Sequence, residues 1–268
     1  MTMFLADYHT HSIHSPDGRD TVEALCEGAL EACMSEIVVT DHFDAVQNDI
    51  FTAPFFYEKG RDECLAAAKK YNKRLKVLFG IELGQPHFDL AACQKLLDQR
   101  EFDFVIGSLH NLVGDRDVYF FNYHDIDHKK VFLEYVLELL EMAKKADFDV
   151  VGHLNYPARY MWSQARKEIL LSEYEEYFRE LFRILAEKGR GIEINTSGMR
   201  QDIGMTLPPL YLIRLFKECK GEIITIGSDA HQKRDVGKHI KLGQELLQEA
   251  GFKHVCAFEK RQPRFEKI

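Results

Sequence analysis

The sequence predicts an α/β fold in which a parallel sheet closes into one barrel domain spanning residues 1–268. Short apolar runs rich in β-branched and aromatic residues alternate with longer helical patterns, which implies parallel strands joined by helices. Seven or eight such units fit in about 250 residues, the size of a closed barrel. The competing arrangement is a doubly wound open sheet, but no G-x-G-x-x-G follows the first strand to favour its dinucleotide-binding form. No internal repeat, low-complexity run or linker divides the chain.

The elements follow in order. FLADYH (4–9) is the first strand, and Asp20-Thr21 forms an N-cap region before a helix near 21–34. EIVVTD (36–41) precedes a helix near 57–73, and KVLFGIE (76–82) precedes one near 88–100. FDFVIGS (102–108) leads to a helix over 128–146, where Val131, Tyr135, Leu139 and Met142 recur at spacings of three and four with Lys and Glu on other faces. FDVVGH (148–153) leads to a helix over 168–189, stopped by Gly189. GIEIN (191–195) and EIITIGS (222–228) precede helices near 207–220 and 238–250, the latter stopped by Gly251, and HVCAF (254–258) is a possible last strand.

The chain is 46% apolar and 29% charged, so it is expected to fold, and it is long enough to bury a core without disulfides or a structural metal. A net charge of −8 repels nucleic acid, so no nucleic-acid partner is expected. A small anionic substrate can still bind where a cluster of divalent cations overrides the global field. Cys26, Cys33, Cys64, Cys93, Cys219 and Cys256 form no C-x-x-C pair and mostly fall on apolar helix faces, so they read as reduced and buried. The N-terminal MTMFLADYHTHS lacks a basic stretch followed by a long apolar run, and no segment approaches transmembrane length. A cytoplasmic chain with no membrane partner is expected, and nothing in the sequence specifies an oligomeric state.

The chemistry gathers at strand ends. The first strand ends in Asp7-Tyr8-His9-Thr10-His11, and side chains two apart on a strand share a face, so His9 and His11 suit one metal ion. Later strands end in Thr40-Asp41-His42, Gly80-Ile81-Glu82, Gly107-Ser108-Leu109-His110, Val151-Gly152-His153 and Gly227-Ser228-Asp229-Ala230-His231. Only the sixth, Glu193-Ile194-Asn195, lacks a histidine or a terminal carboxylate. One such histidine is ordinarily a surface or core residue, but that reading does not explain why they collect at the same end of successive strands. In a barrel they converge on the face that carries catalysis. The donors are nitrogen and oxygen with no thiolate, which suits Zn, Mn or Fe. Eight or nine candidates exceed what one ion can use, so a site of two or three divalent ions is expected, of the kind that activates water and clamps phosphoryl oxygens.

Taken in order, D-Y-H-T-H-S, T-D-H, a strand-end Glu, G-S-L-H, G-H-L and G-S-D-A-H resemble the PHP (polymerase and histidinol phosphatase) superfamily from Asp7 to His231. H-S-x-D-G after the first motif, the chain length and Asn195-Thr196-Ser197-Gly198-Met199-Arg200 make it most similar to the monofunctional histidinol-phosphatases. The resemblance implies a distorted (β/α)7 TIM-like barrel with a trinuclear metal centre. One ion would bind His9, His11, Glu82 and Asp229; a second would share Glu82 and add His110 and His153; a third would use Asp17, His42 and His231. Asp17 lies in the turn Ser15-Pro16-Asp17-Gly18, where a carboxylate is also ordinary turn chemistry. These nine residues form the expected catalytic constellation. The implied reaction is hydrolysis of a small phosphomonoester by a metal-bound hydroxide, with L-histidinol phosphate as the expected substrate.

No G-x-S-x-G elbow and no P-loop favour a covalent nucleophile or a nucleotide cradle. Phosphate recognition calls for arginine: Arg200, after Asn195, and Arg159, just past His153, are the candidates, with Arg166 as the fallback. Asp44, Asp117 and Phe120 lie on loops suited to an amine and an imidazole. The remaining histidines (14, 87, 124, 128, 239 and 254) read mostly as surface residues, and Trp162 as a packing residue or a pocket wall. The rivals are a PHP phosphoesterase acting on nucleotides or other phosphorylated metabolites, an amidohydrolase, and a non-catalytic metal-binding module. The amidohydrolase is disfavoured because no lysine ends a strand, and the module because the ligand set is intact.

Overall fold

A computed structural model describes residues 4–45 and 56–268; the first three residues of the N-terminal segment lie outside it. Among the described residues, parallel strands Ala6–Thr10, Glu36–Val39, Lys76–Gly84, Phe104–Ser108, Val150–Val151, Gly191–Asn195 and Ile224–Gly227 lie side by side in sequence order. Past the last of them Ala230 bridges back to Thr10, and the His11 amide donates to the Ala230 carbonyl at 2.8 Å, so the seven strands nearly close into a barrel. The α/β barrel expected from the alternation is therefore the fold.

The predicted helices form within a few residues of their expected bounds, for reasons visible at their ends, except that the helix expected over 168–189 begins only at Glu175, after the 3-10 turn Leu171–Tyr174. Thr21 caps Val22–Glu31 by accepting from the Ala24 amide, and Asp127 caps His128–Lys145 by accepting from the amides of Lys129 and Lys130. In the second of these helices the apolar stripe Phe132, Tyr135, Val136, Leu139 and Met142 is buried against the sheet.

Strand periodicity divides the barrel interior into two levels. Leu78 and Glu82 share a face of the third strand, as do Phe104 and Ser108 on the fourth, while Val77, Phe79 and Ile81 face the helices. The lower level is apolar: Tyr8, Val38, Leu78, Phe104, Ile106 and Val150 pack together. The upper level is polar and forms the site. On the first strand the register shifts between Asp7 and Thr10. The irregularity lets the consecutive residues Tyr8 and His9 both serve the interior, Tyr8 in the apolar level and His9 in the polar one.

Three expectations are corrected. The last predicted strand does not enter the barrel; His254–Glu259 pairs antiparallel with Gln262–Lys267 and plugs the barrel floor with Cys256, Ala257 and Phe258. Lys260 and Arg261 both adopt left-handed backbone, φ 49° and 60°, a hairpin turn usually announced by Asn-Gly and here written without either residue. The segment after His153, read as a loop, instead forms the helix Pro157–Ala165, with Pro157 in its first turn where the missing amide costs nothing. Finally, the second strand stops at Val39 because the Asp41 carboxylate turns to accept from the Ser12 amide and the Ser12 and Ser15 hydroxyls. The chain resumes as the short strand His42–Asp44, paired with the third strand.

The hairpin is tied in by polar contacts as well. Tyr8 donates its hydroxyl proton to Glu36 and accepts from the Phe258 amide at 2.6 Å. Arg261 pairs with Asp147 at 2.9 Å and Asp149 at 3.0 Å. Five of the six cysteines are buried, all are free, and Cys33 is exposed. Among the described residues no helix is long and apolar enough to cross a membrane.

Phe258 is 2% exposed, with its ring 5.0 Å from that of Phe104. Phe258→Ala should cost about 3–5 kcal/mol in denaturant unfolding, the usual result of emptying a buried aromatic site. A change within experimental error would show that the hairpin is not part of the core.

Candidate metal centre

Glu82, 1% exposed, stands at the middle of the polar level. Its Oε2 lies 2.9 Å from His42 Nδ1, 3.3 Å from His9 Nε2 and 3.5 Å from His11 Nε2. Its Oε1 lies 3.0 Å from His153 Nε2 and 3.4 Å from His110 Nε2, and accepts from the Ser108 hydroxyl at 2.5 Å. Five imidazoles from three strand ends and the short strand thus meet one carboxylate.

Asp229 extends the cluster. Its Oδ1 is 3.6 Å from His231 Nδ1, 3.7 Å from His11 Nε2 and 3.8 Å from His9 Nε2. The residue holds a left-handed backbone, φ 55°, which aspartate tolerates better than most side chains, and its amide donates to the His9 carbonyl at 2.8 Å. Asp17, half-exposed at the rim, reaches His231 Nε2 at 3.0 Å and His42 Nε2 at 3.7 Å. All nine residues singled out at the strand ends and the following turn therefore lie in one cluster.

Among the described residues, three sets place ligand atoms close enough to share an ion: His9–His11–Glu82, His42–Glu82–His110, and His11–His42–His231. The first agrees with the grouping implied by the resemblance. The others show His11 and His42 standing between groups, for the His11 ring stacks 4.3 Å from both His42 and His231.

The donors fit divalent cations. His9 Nε2, His11 Nε2, His42 Nδ1, Glu82 Oε2 and His231 Nε2 are buried without a hydrogen-bond partner, yet they face one another. Leaving such atoms unmet is costly, and cations shared among them would meet that need. The outward ring nitrogens of four of the histidines are already taken. Nδ1 of His9 faces Glu193 Oε1 at 2.7 Å, that of His11 faces Ser15 Oγ at 3.1 Å, and that of His231 faces the Asp229 carbonyl at 3.1 Å. His110 Nδ1 faces Asp44 Oδ1 at 3.5 Å. This is how ligating histidines are ordinarily aimed.

The electrostatics follow. Burial would raise the Glu82 carboxyl, but His9, His42 and His110 together hold it well below the usual range. Burial likewise opposes Asp229 ionisation and is outweighed by His9, His231 and Arg159. Burial lowers His42 and His110, yet Glu82 and its neighbours push them up to about 9 and about 10. His11 goes the other way, lowered by burial and by the neighbouring His42, His231 and His9. The cluster thus holds fixed negative charge whose compensation falls to protons or to cations.

Above it opens a cleft of about 940 Å³. Arg159, 8% exposed, lies with its guanidinium 4.0 Å over the Tyr156 ring and 3.8 Å from Asp229 Oδ2, with Nε unpartnered. Arg200 is anchored by Nη2 donating to the Ser228 carbonyl at 2.8 Å, and its Nη1 is buried and unpartnered. Asp44 and Asp117 line the cleft, although Asp44 Oδ1 is engaged by Gln85 Nε2 at 3.0 Å. Phe120 does not line it: the turn Val118–Phe120 turns Tyr119 to the cleft instead, so the aromatic lining is Phe43, Tyr119, Tyr156 and Tyr160. Trp162 is not in the lining either; its indole donates to the Asp202 carbonyl. His14 and His87, read as surface residues, have side chains 5% and 4% exposed and pair with Glu63 and Glu138.

Sequence reasoning missed Glu193, Gln85 and Asp7. Glu193 sits mid-strand and was set aside for lacking a terminal donor, although its place two residues before Asn195 puts both on the inner face. Gln85 accepts from the amides of His110 and Asn111, and Asp7 from the Ser228 amide and hydroxyl and the Gly237 amide. All three shape the loops that carry the donors.

Glu82→Gln removes the charge on which the imidazoles converge, and should sharply lower the zinc retained by the purified chain after dialysis. Retention equal to wild type would show that the histidines hold ions without it.

Comparison with known proteins agrees with this geometry. The PHP domain family matches residues 7–197. A probable histidinol-phosphatase of Clostridium acetobutylicum is 29% identical over 262 residues, covering 97% of this chain and 98% of that protein. The histidinol-phosphatase of Lactococcus lactis is 28% identical over 266 residues, covering 94% and 93%. The crystal structure of L. lactis histidinol phosphate phosphatase complexed with zinc, L-histidinol and phosphate superposes with a TM-score of 0.87 at 26% identity, covering 98% of this chain and 100% of that one. With a family match over most of its length and every strand-end donor in place, this chain belongs to the PHP domain family.

Proposed function

We propose that this chain is a metal-dependent phosphomonoesterase that hydrolyses L-histidinol phosphate to L-histidinol and phosphate. The observation that carries the reading is the juxtaposition of the Glu82 cluster with two arginines, each of which keeps one guanidinium nitrogen without a partner, Nε in Arg159 and Nη1 in Arg200. The histidinol-phosphatases among its relatives, and the neighbour that holds zinc, L-histidinol and phosphate, support it.

His9, His11, Glu82 and Asp229 would hold one ion, Glu82, His110 and His153 a second, and Asp17, His42 and His231 a third. Bound divalent ions supply positive charge toward the phosphoryl oxygens and activate water at neutral pH. The chain's own residues do the rest. Glu82 and Asp229 concentrate the negative charge that retains the ions beneath the cleft. Arg159 and Arg200 direct free N–H groups at a phosphoryl group, and their charge-assisted bonds strengthen as charge spreads over its oxygens. The Arg200 side chain is held in place by the carbonyls of Ser228 and Asp229, so its orientation is coupled to that of the ligand loop. Tyr119, Tyr156 and Tyr160 offer aromatic faces to an imidazole, and Asp44 and Asp117 offer carboxylates to an amine. Tyr156 also packs 4.6 Å from the His153 ring, tying the aromatic wall to the metal ligands.

A screen of phosphomonoesters with added Mn or Zn should find L-histidinol phosphate the preferred substrate. Equal or better turnover of nucleotides or sugar phosphates would contradict the substrate assignment, and no turnover of any monoester would contradict the reaction. Elemental analysis of the active protein should give two to three ions per chain; one or none would contradict the trinuclear assignment. Arg159→Ala and Arg200→Ala should each raise KM about 10- to 100-fold, the loss of a charge-assisted contact. An unchanged KM in either would move the phosphate contact elsewhere.

A further inference from the structure

We infer that Glu193, on the one barrel strand that ends without a metal donor, is the positioning residue that sets the tautomer and aim of His9. Glu193 is 1% exposed and His9 is fully buried. Glu193 Oε1 lies 2.7 Å from His9 Nδ1, the shortest approach the His9 ring makes to a carboxylate. The opposite nitrogen, Nε2, is the buried atom without a hydrogen-bond partner that faces Glu82 and Asp229. A proton fixed on Nδ1 by a carboxylate leaves the Nε2 lone pair free for a cation, and makes the imidazole a stronger donor.

The carboxylate is itself held. Its Oε2 accepts from the His153 amide at 2.8 Å and from Asn195 Nδ2 at 3.1 Å. Asn195 is aimed in turn, for its Oδ1 accepts from the Ser197 amide at 3.0 Å and hydroxyl at 2.6 Å. Space for the group is provided by a missing side chain: a Cβ at Gly227 would collide with both Glu193 Oε1 and the His9 Cβ. One glutamate therefore orients the His9 side chain and pins the backbone of His153. The sixth strand contributes to the centre by placing two ligands rather than by ligating.

The inference rests on the metal-site reading above, and its test is zinc affinity rather than turnover. Metal-free wild type, Glu193→Ala and Glu193→Gln are titrated with zinc against a chromophoric chelator. Unfolding of each metal-free chain is followed in parallel. Glu193→Ala should bind its tightest zinc about 10- to 100-fold more weakly than wild type. Glu193→Gln, which keeps the volume and one acceptor, should fall between the two. In the zinc-loaded wild type, long-range 1H–15N spectra should place the His9 proton on Nδ1, and that signal should weaken in the alanine variant. Should the alanine variant fail to fold, the glutamine variant decides alone: several-fold weaker zinc binding with a metal-free unfolding midpoint near wild type supports the inference. Wild-type affinity in the glutamine variant, or a loss of affinity matched by an equal loss of metal-free stability, overturns it. Wild type that binds no zinc would sink the metal-site reading itself.

Discussion

A carboxylate buried at the centre of five imidazoles is the constraint around which the molecule is arranged. An ionised group at 1% exposure costs several kcal/mol unless its partners are close and well aimed. Glu82 finds them because its strand is flanked by neighbours whose C-terminal ends also carry donors, all delivered to one side by the parallel sheet. The imidazoles are constrained in the same way. Several are buried polar rings with an unmet nitrogen turned toward Glu82 and Asp229, so the carboxylates and the imidazoles depend on what lies between them. Divalent ions are the species that meet both sets of needs together.

The two levels of the barrel interior divide the labour. Below, Tyr8, Leu78, Phe104 and Phe258 form an apolar floor sealed by the C-terminal hairpin, which excludes water from beneath the polar cluster. Above, Ser108, Glu193 and Asn195 carry the same inward alternation into hydrogen-bonding groups. Low local dielectric strengthens the attraction between the carboxylates and any cation they share. The cleft walls above carry Arg159 and Arg200, with Tyr156 and Tyr160 beneath the Arg159 guanidinium. Charge and orientation are both fixed before a substrate arrives.

Much of this was legible because barrel chemistry sits at strand ends and strands announce themselves by apolar runs. His9, His11, His42, Glu82, His110, His153, Asp229 and His231 could each be placed by that rule, and Asp17 by the motif that follows the first strand. What escaped notice depended on features that a linear reading does not weigh. Glu193 acts from mid-strand, where only inward periodicity marks it. The closing hairpin turns on Lys260 and Arg261, which carry no turn signature, so its second strand went unseen. The helix Pro157–Ala165 was hidden because Pro157 and the residues before it read as loop, which left Arg159 on a loop rather than in the first turn of a helix. Phe120 lies outside the lining and Tyr119 within it; sequence alone does not say which residue of a tight turn faces inward.

The central claim is that the Glu82 carboxylate is shared between cations, with both oxygens engaged. Anomalous diffraction at the zinc edge from crystals of the zinc-loaded protein tests it most directly. The account predicts separate peaks on the two sides of Glu82, each within about 2.0–2.2 Å of one of its oxygens and bordered by histidine nitrogens. A map with ions bound only at the rim, or with Glu82 hydrogen-bonded to protonated histidines and touching no metal, would contradict it.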